Sequence, residues 1–156
     1  KDRATSDGTT PVFVASARGH SEVVSLLCEM RANVDLAASS DATPIFIAAL
    51  NGHIDVARCL CARSADVNRP PRSGSTPVFI ASQRGDVEMV DLLCAAGADR
   101  DRAAPTGATP LFVASFLGHL EVARLLCAQG AARDQATEDG ATPLFIAAQK
   151  GHLALV

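Results

Sequence analysis

The chain contains no tryptophan and no tyrosine, and its only aromatic side chains are six phenylalanines. Unpaired bases would therefore have nothing but phenylalanine to stack on. Positive charge is not in excess either: Lys and Arg total 14 against 17 Asp and Glu, for a formal net charge of -3. Nucleic acids and anionic membranes are bound through basic surfaces, so neither is an expected partner. No apolar run approaches the roughly 20 residues needed to cross a bilayer. The first eight residues, Lys1-Asp2-Arg3-Ala4-Thr5-Ser6-Asp7-Gly8, are polar and lack the apolar stretch of a secretory signal. No G-x-x-x-x-G-K-[ST] sequence occurs, which removes the commonest phosphate-binding loop.

Cysteine is present but in a pattern that disfavours disulfides. Of Cys28, Cys59, Cys61, Cys94 and Cys127, all but Cys59 recur at a step of 33 residues. Equivalent positions on stacked helices stand roughly 8–10 Å apart, whereas a disulfide needs Cα atoms within about 7 Å. Cys59 and Cys61 face apart on one helix. All five are read as reduced, apolar core residues. With no visible signal peptide, that predicts a reducing intracellular compartment, the cytoplasm.

What the chain does contain is a repeat. Thr109-Pro110-Leu111-Phe112-Val113-Ala114-Ser115 has near-copies beginning at Thr10, Thr43, Thr76 and Thr142, each 33 residues from the next without insertion or deletion. Five copies in register identify a repeat protein, in which each unit buries apolar surface against its neighbours rather than around one centre. The expected units are approximately 5–37, 38–70, 71–103, 104–136 and an incomplete 137–156. The spacing predicts two short helices per unit. In the fourth, Thr109 caps a helix with Pro110 at its first position, Gly118 ends it, and His119 lies in the connection. A second helix runs from Leu120 to about Ala128, with Val122, Leu125 and Leu126 inward, and Gly130 closes it. A polar extended segment, 131–140, then leads to Thr142. The small pairs Ala15-Ser16, Ala48-Ala49, Ala81-Ser82, Ala114-Ser115 and Ala147-Ala148 let first helices approach closely. Larger second helices would make each unit a wedge and the stack a curve with a concave side.

The pattern G-x-T-P-L-F-x-A-A/S-x-x-G-H-x-E-V-x-x-L-L-C-x-x-G-A-D resembles the ankyrin repeat, from about residue 5 to 156. Gly-His stands at 19–20, 52–53, 118–119 and 151–152, with Gly85-Asp86 the one variant. The resemblance implies an all-α, ankyrin-type α-solenoid of stacked helix-turn-helix units joined by β-turn or extended connections. It also implies a protein–protein interaction module that binds through turn tips and first-helix ends. Where the family usually has His after T-P-L, this chain has Phe13, Phe46, Phe79, Phe112 and Phe145. Burial of the rings is expected to replace the lost polar contacts, at about 3–5 kcal/mol for each fully buried ring truncated. The glycine that ends the second helix is present as Gly97 and Gly130 but is Arg31 and Ser64 in the first two units. Asp41 replaces the turn glycine. Left-handed backbone at a non-glycine residue costs roughly 1–2 kcal/mol, so the first two units are expected to open more easily than the third and fourth.

The recurring His and Cys have the residue types of catalytic and metal sites but not their arrangement. A metal site needs three or four ligands converging on one point, whereas His20, His53, His119 and His152 are spread one per unit. Cys127 with His119, or Cys28 with His20, has the composition of a nucleophile and base. But the pair is repeated and no basic cluster activates the thiol. No enzyme activity, metal or cofactor is expected. The copies disagree most in the two residues before each Gly-His or Gly-Asp: Ala17-Arg18, Leu50-Asn51, Gln83-Arg84, Phe116-Leu117 and Gln149-Lys150. Phe116 is the only phenylalanine outside the repeated position. By the resemblance these residues line the groove, so Phe116, Leu117 and Leu50 are candidate anchors for a protein partner. Arg18, Arg84 and Lys150 form a positive rim for an acidic segment; Asn51, Gln83 and Gln149 are polar neighbours; Arg72, Glu138 and Asp139 stand at turn tips. A second expectation is a targeting or autoinhibitory module of a larger enzyme with its catalytic domain elsewhere. Neither end carries a polar capping unit, so the natural chain is expected to continue, and the apolar face of the fifth unit is expected to support self-association.

Overall fold

A computed structural model describes residues 1–155. Among them, nine α-helices form in pairs: α1 (Pro11–Ala17) with α2 (Ser21–Glu29), α3 (Pro44–Asn51) with α4 (Ile54–Cys61), α5 (Pro77–Arg84) with α6 (Val87–Ala95), α7 (Pro110–Leu117) with α8 (Leu120–Ala128), and α9 (Pro143–Lys150) with a short 3-10 turn, Leu153–Leu155. The expected second helix of the fifth unit is thus represented by that turn, and Val156 lies outside the described residues. No strand occurs among the described residues.

Each odd-numbered helix starts the same way. Thr10, Thr43, Thr76, Thr109 and Thr142 hold extended backbone, and each Oγ1 accepts the N–H of the phenylalanine three residues on, at 3.1 to 3.3 Å. Proline follows at the first helical position, where its missing N–H breaks no bond. The helices last only 7 to 9 residues, too short to be stable alone in water. Their stability comes from stacking. α1, α3, α5, α7 and α9 pack in series, and α2, α4, α6 and α8 pack in a second series behind them. Ala48, Ala49, Ala81, Ser82, Ala114 and Ser115 are buried in the first series, where their size lets the backbones approach. Ile45, Val56, Leu60, Val78, Met89, Leu93, Leu111, Val122 and Leu126 belong to one cluster running through the stack. In α8, Ala123 is buried with Val122 and Leu126, whereas Leu125 is only partly buried.

The connections carry their own ladder. The side chains of Asp2, Asp35, Asn68 and Asp101, spaced by 33 residues, accept the backbone N–H of Asn33, Asp66, Asp99 and Ala132 at 2.7 to 3.0 Å. Each bond joins one unit's connection to the next, satisfying donors that no strand pairs.

The phenylalanines behave differently from expectation. Phe46 and Phe79 are buried, Phe13 and Phe112 are half-buried, and Phe145 is 57% exposed. Phe79 leaves the main core and packs on Ala104 and Ala108 of the next unit's connection. A ring is covered only to the extent that a following connection lies over it, and none lies over Phe145 among the described residues. The cysteines also divide: Cys28 and Cys94 are buried, but Cys59, Cys61 and Cys127 only partly so. All five are free thiols.

Arg31, Ser64 and Asp41 occupy left-handed backbone, with φ of 58°, 57° and 62°. The glycine at the Arg31 position two units on, Gly97, has φ of 91°, and a Cβ there would meet nothing within 4 Å. The cost at Arg31 and Ser64 is therefore one of backbone conformation alone. Arg31→Gly and Ser64→Gly should each raise unfolding free energy by about 1 kcal/mol in urea titration, and amides of α2 and α4 should exchange faster than those of α6 and α8. Equal or greater protection in α2 and α4 would contradict this.

Candidate functional site

The candidate residues lie where the first helices end, and that is also where the units are fastened. His53 Nε2 lies 3.2 Å from the carbonyl oxygen of Ala17, His119 Nε2 lies 3.2 Å from that of Gln83, and His152 Nε2 lies 3.1 Å from that of Phe116. A carbonyl only accepts, so each ring carries its proton on Nε2. These carbonyls belong to the last turn of a helix and lack an intrahelical donor. Each ring also lies against the preceding unit's glycine: a Cβ on Gly19 or Gly85 would fall 2.7 Å from the Nδ1 of His53 or His119. Those glycines are required twice, by positive φ and by the ring.

The single break in the Gly-His pattern is repaired inside the same unit. Asp86 replaces the histidine and caps α6 by accepting the N–H of Met89 at 3.0 Å. The missing contact is supplied by Arg84, whose Nη1 donates to the Leu50 carbonyl at 3.0 Å while Nη2 lies 2.9 Å from where a Cβ on Gly52 would stand. Arg84 thus fastens the second unit to the third, where sequence reasoning had placed a free positive rim. Asn51 is engaged similarly: its Nδ2 donates to Ala17 at 2.8 Å, so that carbonyl accepts from both Asn51 and His53. Arg72 pairs with Asp41 at 2.9 Å across the turn tips, an exposed contact worth at most about 1 kcal/mol.

The remaining candidates face outward. Phe116 is 38% and Leu117 40% exposed, side by side at the end of α7. Lys150 lies over the Phe116 ring, 4.4 Å from its centroid, a cation–π contact that leaves the rest of the ring open. Arg18, Leu50, Gln83 and Gln149 are exposed, as are Glu138 and Asp139 at the tip before α9. The structure brings Phe116 and Lys150 together; the other candidates occupy equivalent places on successive units. Sequence reasoning missed the residue after the repeated phenylalanine in the first four units. Val14 is exposed, and Ile47, Ile80 and Val113 are half-buried, one helical turn before Ala17, Leu50, Gln83 and Phe116, whereas Ile146 is buried. The recurrence of Val or Ile there made all five look like core.

Acidic side chains are missing from one layer. The five first helices contain no acidic residue, and their ends carry Arg18, Arg84 and Lys150. The second helices carry Glu22, Glu29, Asp55, Glu88, Asp91 and Glu121, with Arg58 and Arg124 among them. The overall charge of -3 therefore conceals a first-helix face that is apolar and basic.

No group of three or more His, Cys, Asp or Glu among the described residues could hold a metal ion, and no helix among them is long and apolar enough to cross a membrane. Burial pushes the Cys28, Cys61 and Cys94 thiols up, only partly offset at Cys28 and Cys94 by the guanidinium groups of Arg63 and Arg100. A raised pKa means less thiolate at neutral pH, the opposite of an activated nucleophile. In thiol titration at pH 7.5 (about one unit below the ordinary cysteine value), these three should react more slowly in the folded protein than in urea. A folded-state burst from any of them would overturn the assignment.

The Arg84 joint has its own test. Arg84→Ala should cost about 1–2 kcal/mol, because it removes a charge-assisted bond to a helix-end carbonyl. Asp86→His removes the Met89 cap but offers the Leu50 carbonyl a donor, so it should cost less in the Arg84→Ala background than in the parent. Denaturant titration of both single variants and the double variant reads this coupling, and an equal cost of Asp86→His in the two backgrounds would count against Arg84 as the histidine's substitute.

The profile described as "Ankyrin repeats (3 copies)" matches residues 1–71 and 78–156, and that described as "Ankyrin repeats (many copies)" matches residues 56–94. No curated protein matches the chain. Matches over nearly the whole length, on a stack of paired helices with no strand among the described residues, show that this chain belongs to the ankyrin-repeat family, as an all-α solenoid.

Proposed function

We propose that this chain, like ankyrin repeats in general a protein–protein interaction module, binds a segment of another protein on its first-helix face, and that the segment is acidic with apolar anchors. One observation carries the reading: Phe116 and Leu117 are an exposed apolar pair on a face whose helices contain no acidic side chain. An apolar patch rimmed by polar groups suits an interaction site, and large apolar side chains supply most of the binding energy at such sites. Leu50 and Val14 extend the patch toward the first unit. Arg18 and Lys150 supply positive charge that attracts an acidic segment and sets its orientation more than its affinity. Arg84, Asn51 and Arg72 hold the scaffold and contribute less to the partner. Gln83 and Gln149 provide hydrogen bonding along the face, and Glu138 and Asp139 mark the acidic end that such a segment would avoid.

A peptide-display selection on the intact chain, counter-selected against Phe116→Ala/Leu117→Ser, tests this. Enriched peptides should combine Asp or Glu with Leu, Ile or Phe. They should bind the double variant about 30-fold more weakly, corresponding to a loss of about 2 kcal/mol at an interface anchor. The variant should unfold within about 1 kcal/mol of the parent, because both side chains are already well exposed. A large fall in melting temperature would make the pair core, and enrichment of basic peptides would refute the charge assignment.

A further inference from the structure

The first helices of the second, third and fourth units carry two parallel rows of side chains. Ile47, Ile80 and Val113 are half-buried in the inner row, and Leu50, Gln83 and Phe116 are exposed in the outer row, one helical turn on. Each of these helices packs between the first helices of two other units, so the exposure of its outer side chain belongs to the interior of the stack. The inner row is apolar throughout, and Ile80 and Val113 pack beside the Phe79 and Phe112 rings. The outer row alternates: apolar at Leu50, polar at Gln83, apolar at Phe116. Lys150, one unit further, reaches back over the Phe116 ring and brings a positive charge to that end of the row.

The step of the rows restricts what conformation of a bound segment fits them. Equivalent positions on stacked helices stand roughly 8–10 Å apart. A segment that contacts every unit must return a side chain to the same side at that step. A β-strand covers about 10 Å in three residues, but its third residue points to the opposite face. An α-helix needs about seven residues for the same rise, and its backbone groups already pair with one another. A polyproline II segment advances about 9 Å in each three-residue turn, so every third side chain faces the same way. Its backbone N–H and C=O groups are unpaired. Gln83, exposed between two apolar positions, has an amide that offers both donor and acceptor to such a backbone. A large apolar side chain set over that amide would bury it without a partner, which is costly.

Resting on the reading that this face takes an acidic segment with apolar anchors, we propose that the segment lies along the stack as a polyproline II helix, one turn per unit. One apolar anchor sits over Ile47 and Leu50. The second sits over Val113 and Phe116, two turns or about six residues away. The residue midway, over Gln83, is polar or small. The acidic residue falls one turn beyond the Phe116 anchor, beside Lys150.

Displayed random peptides of about 16 residues, long enough to span the face at about 3.1 Å per residue, test the proposal when selected on the intact chain and on Gln83→Leu. Gln83 is exposed, so the variant should fold, checked by circular dichroism. Peptides from the intact chain should carry Leu, Ile or Phe two turns apart, a polar or small residue midway, and Asp or Glu one turn beyond one anchor. Peptides from Gln83→Leu should turn apolar at the midpoint. Lengthening or shortening a selected peptide by one residue between its anchors should weaken binding about 10-fold, because one anchor then misses its row. Proline in the spacer positions should preserve or strengthen binding, since it presets the bound conformation. Anchors at a heptad spacing, binding that tolerates the added residue, or a midpoint unchanged by Gln83→Leu would overturn the polyproline II assignment. If such peptides still need Phe116 and Leu117, the face stands as the binding site and only the conformation is wrong. Peptides that bind Phe116→Ala/Leu117→Ser as well as the parent would overturn the site itself, and this proposal with it.

Discussion

No helix in this chain can bury its apolar surface by itself, so every unit depends on the joint with its neighbour. That joint has three parts: an unpaired carbonyl at the end of a first helix, a glycine two residues later in left-handed backbone, and a ring or guanidinium from the next unit that covers the glycine and donates to the carbonyl. The Asp and Asn side chains of the connections repeat the same logic nearer the second helices, each accepting a backbone N–H one unit away. Most of these carbonyls lie near the surface, so each bond adds a modest stabilisation over a contact with water. The chain makes the joint with arginine where histidine is absent.

Because scaffold and surface share the same helices, a residue's role depends on which way it reaches. Asn51 and Arg84 reach back along the stack and are consumed by the joint. Leu117, at the same register on the fourth unit, cannot donate; it stays in the open beside Phe116, and His119 serves the Gln83 carbonyl alone. The variability at these positions is thus of two kinds. Some of it substitutes one donor for another, and some of it leaves an apolar side chain uncovered. The absence of acidic groups from the first helices gives the uncovered side chains an apolar and basic setting that the net charge does not reveal.

Periodicity carried most of the fold. The threonine caps, the prolines after them, the glycine ends and the left-handed Arg31, Ser64 and Asp41 could all be read from spacing, because each answers to a local backbone requirement. The phenylalanines could not. Their identical sequence setting predicts identical burial, but coverage comes from the following unit's connection, and it ranges from Phe46 and Phe79, both covered, to the open Phe145. The same holds for Cys59, Cys61 and Cys127, whose exposure depends on how closely the second helices pack.

The sequence by itself determined the repeat, the helix boundaries, the family and the places where copies diverge, since these follow from short-range backbone preferences and a period. Only the tertiary structure decided which diverging side chains are available. Arg84 and Phe116 look equally exceptional in the sequence. One is tied at 3.0 Å to a carbonyl of the preceding unit and the other lies open beneath a lysine. The difference is set by contacts between residues more than thirty positions apart, which local preferences do not encode.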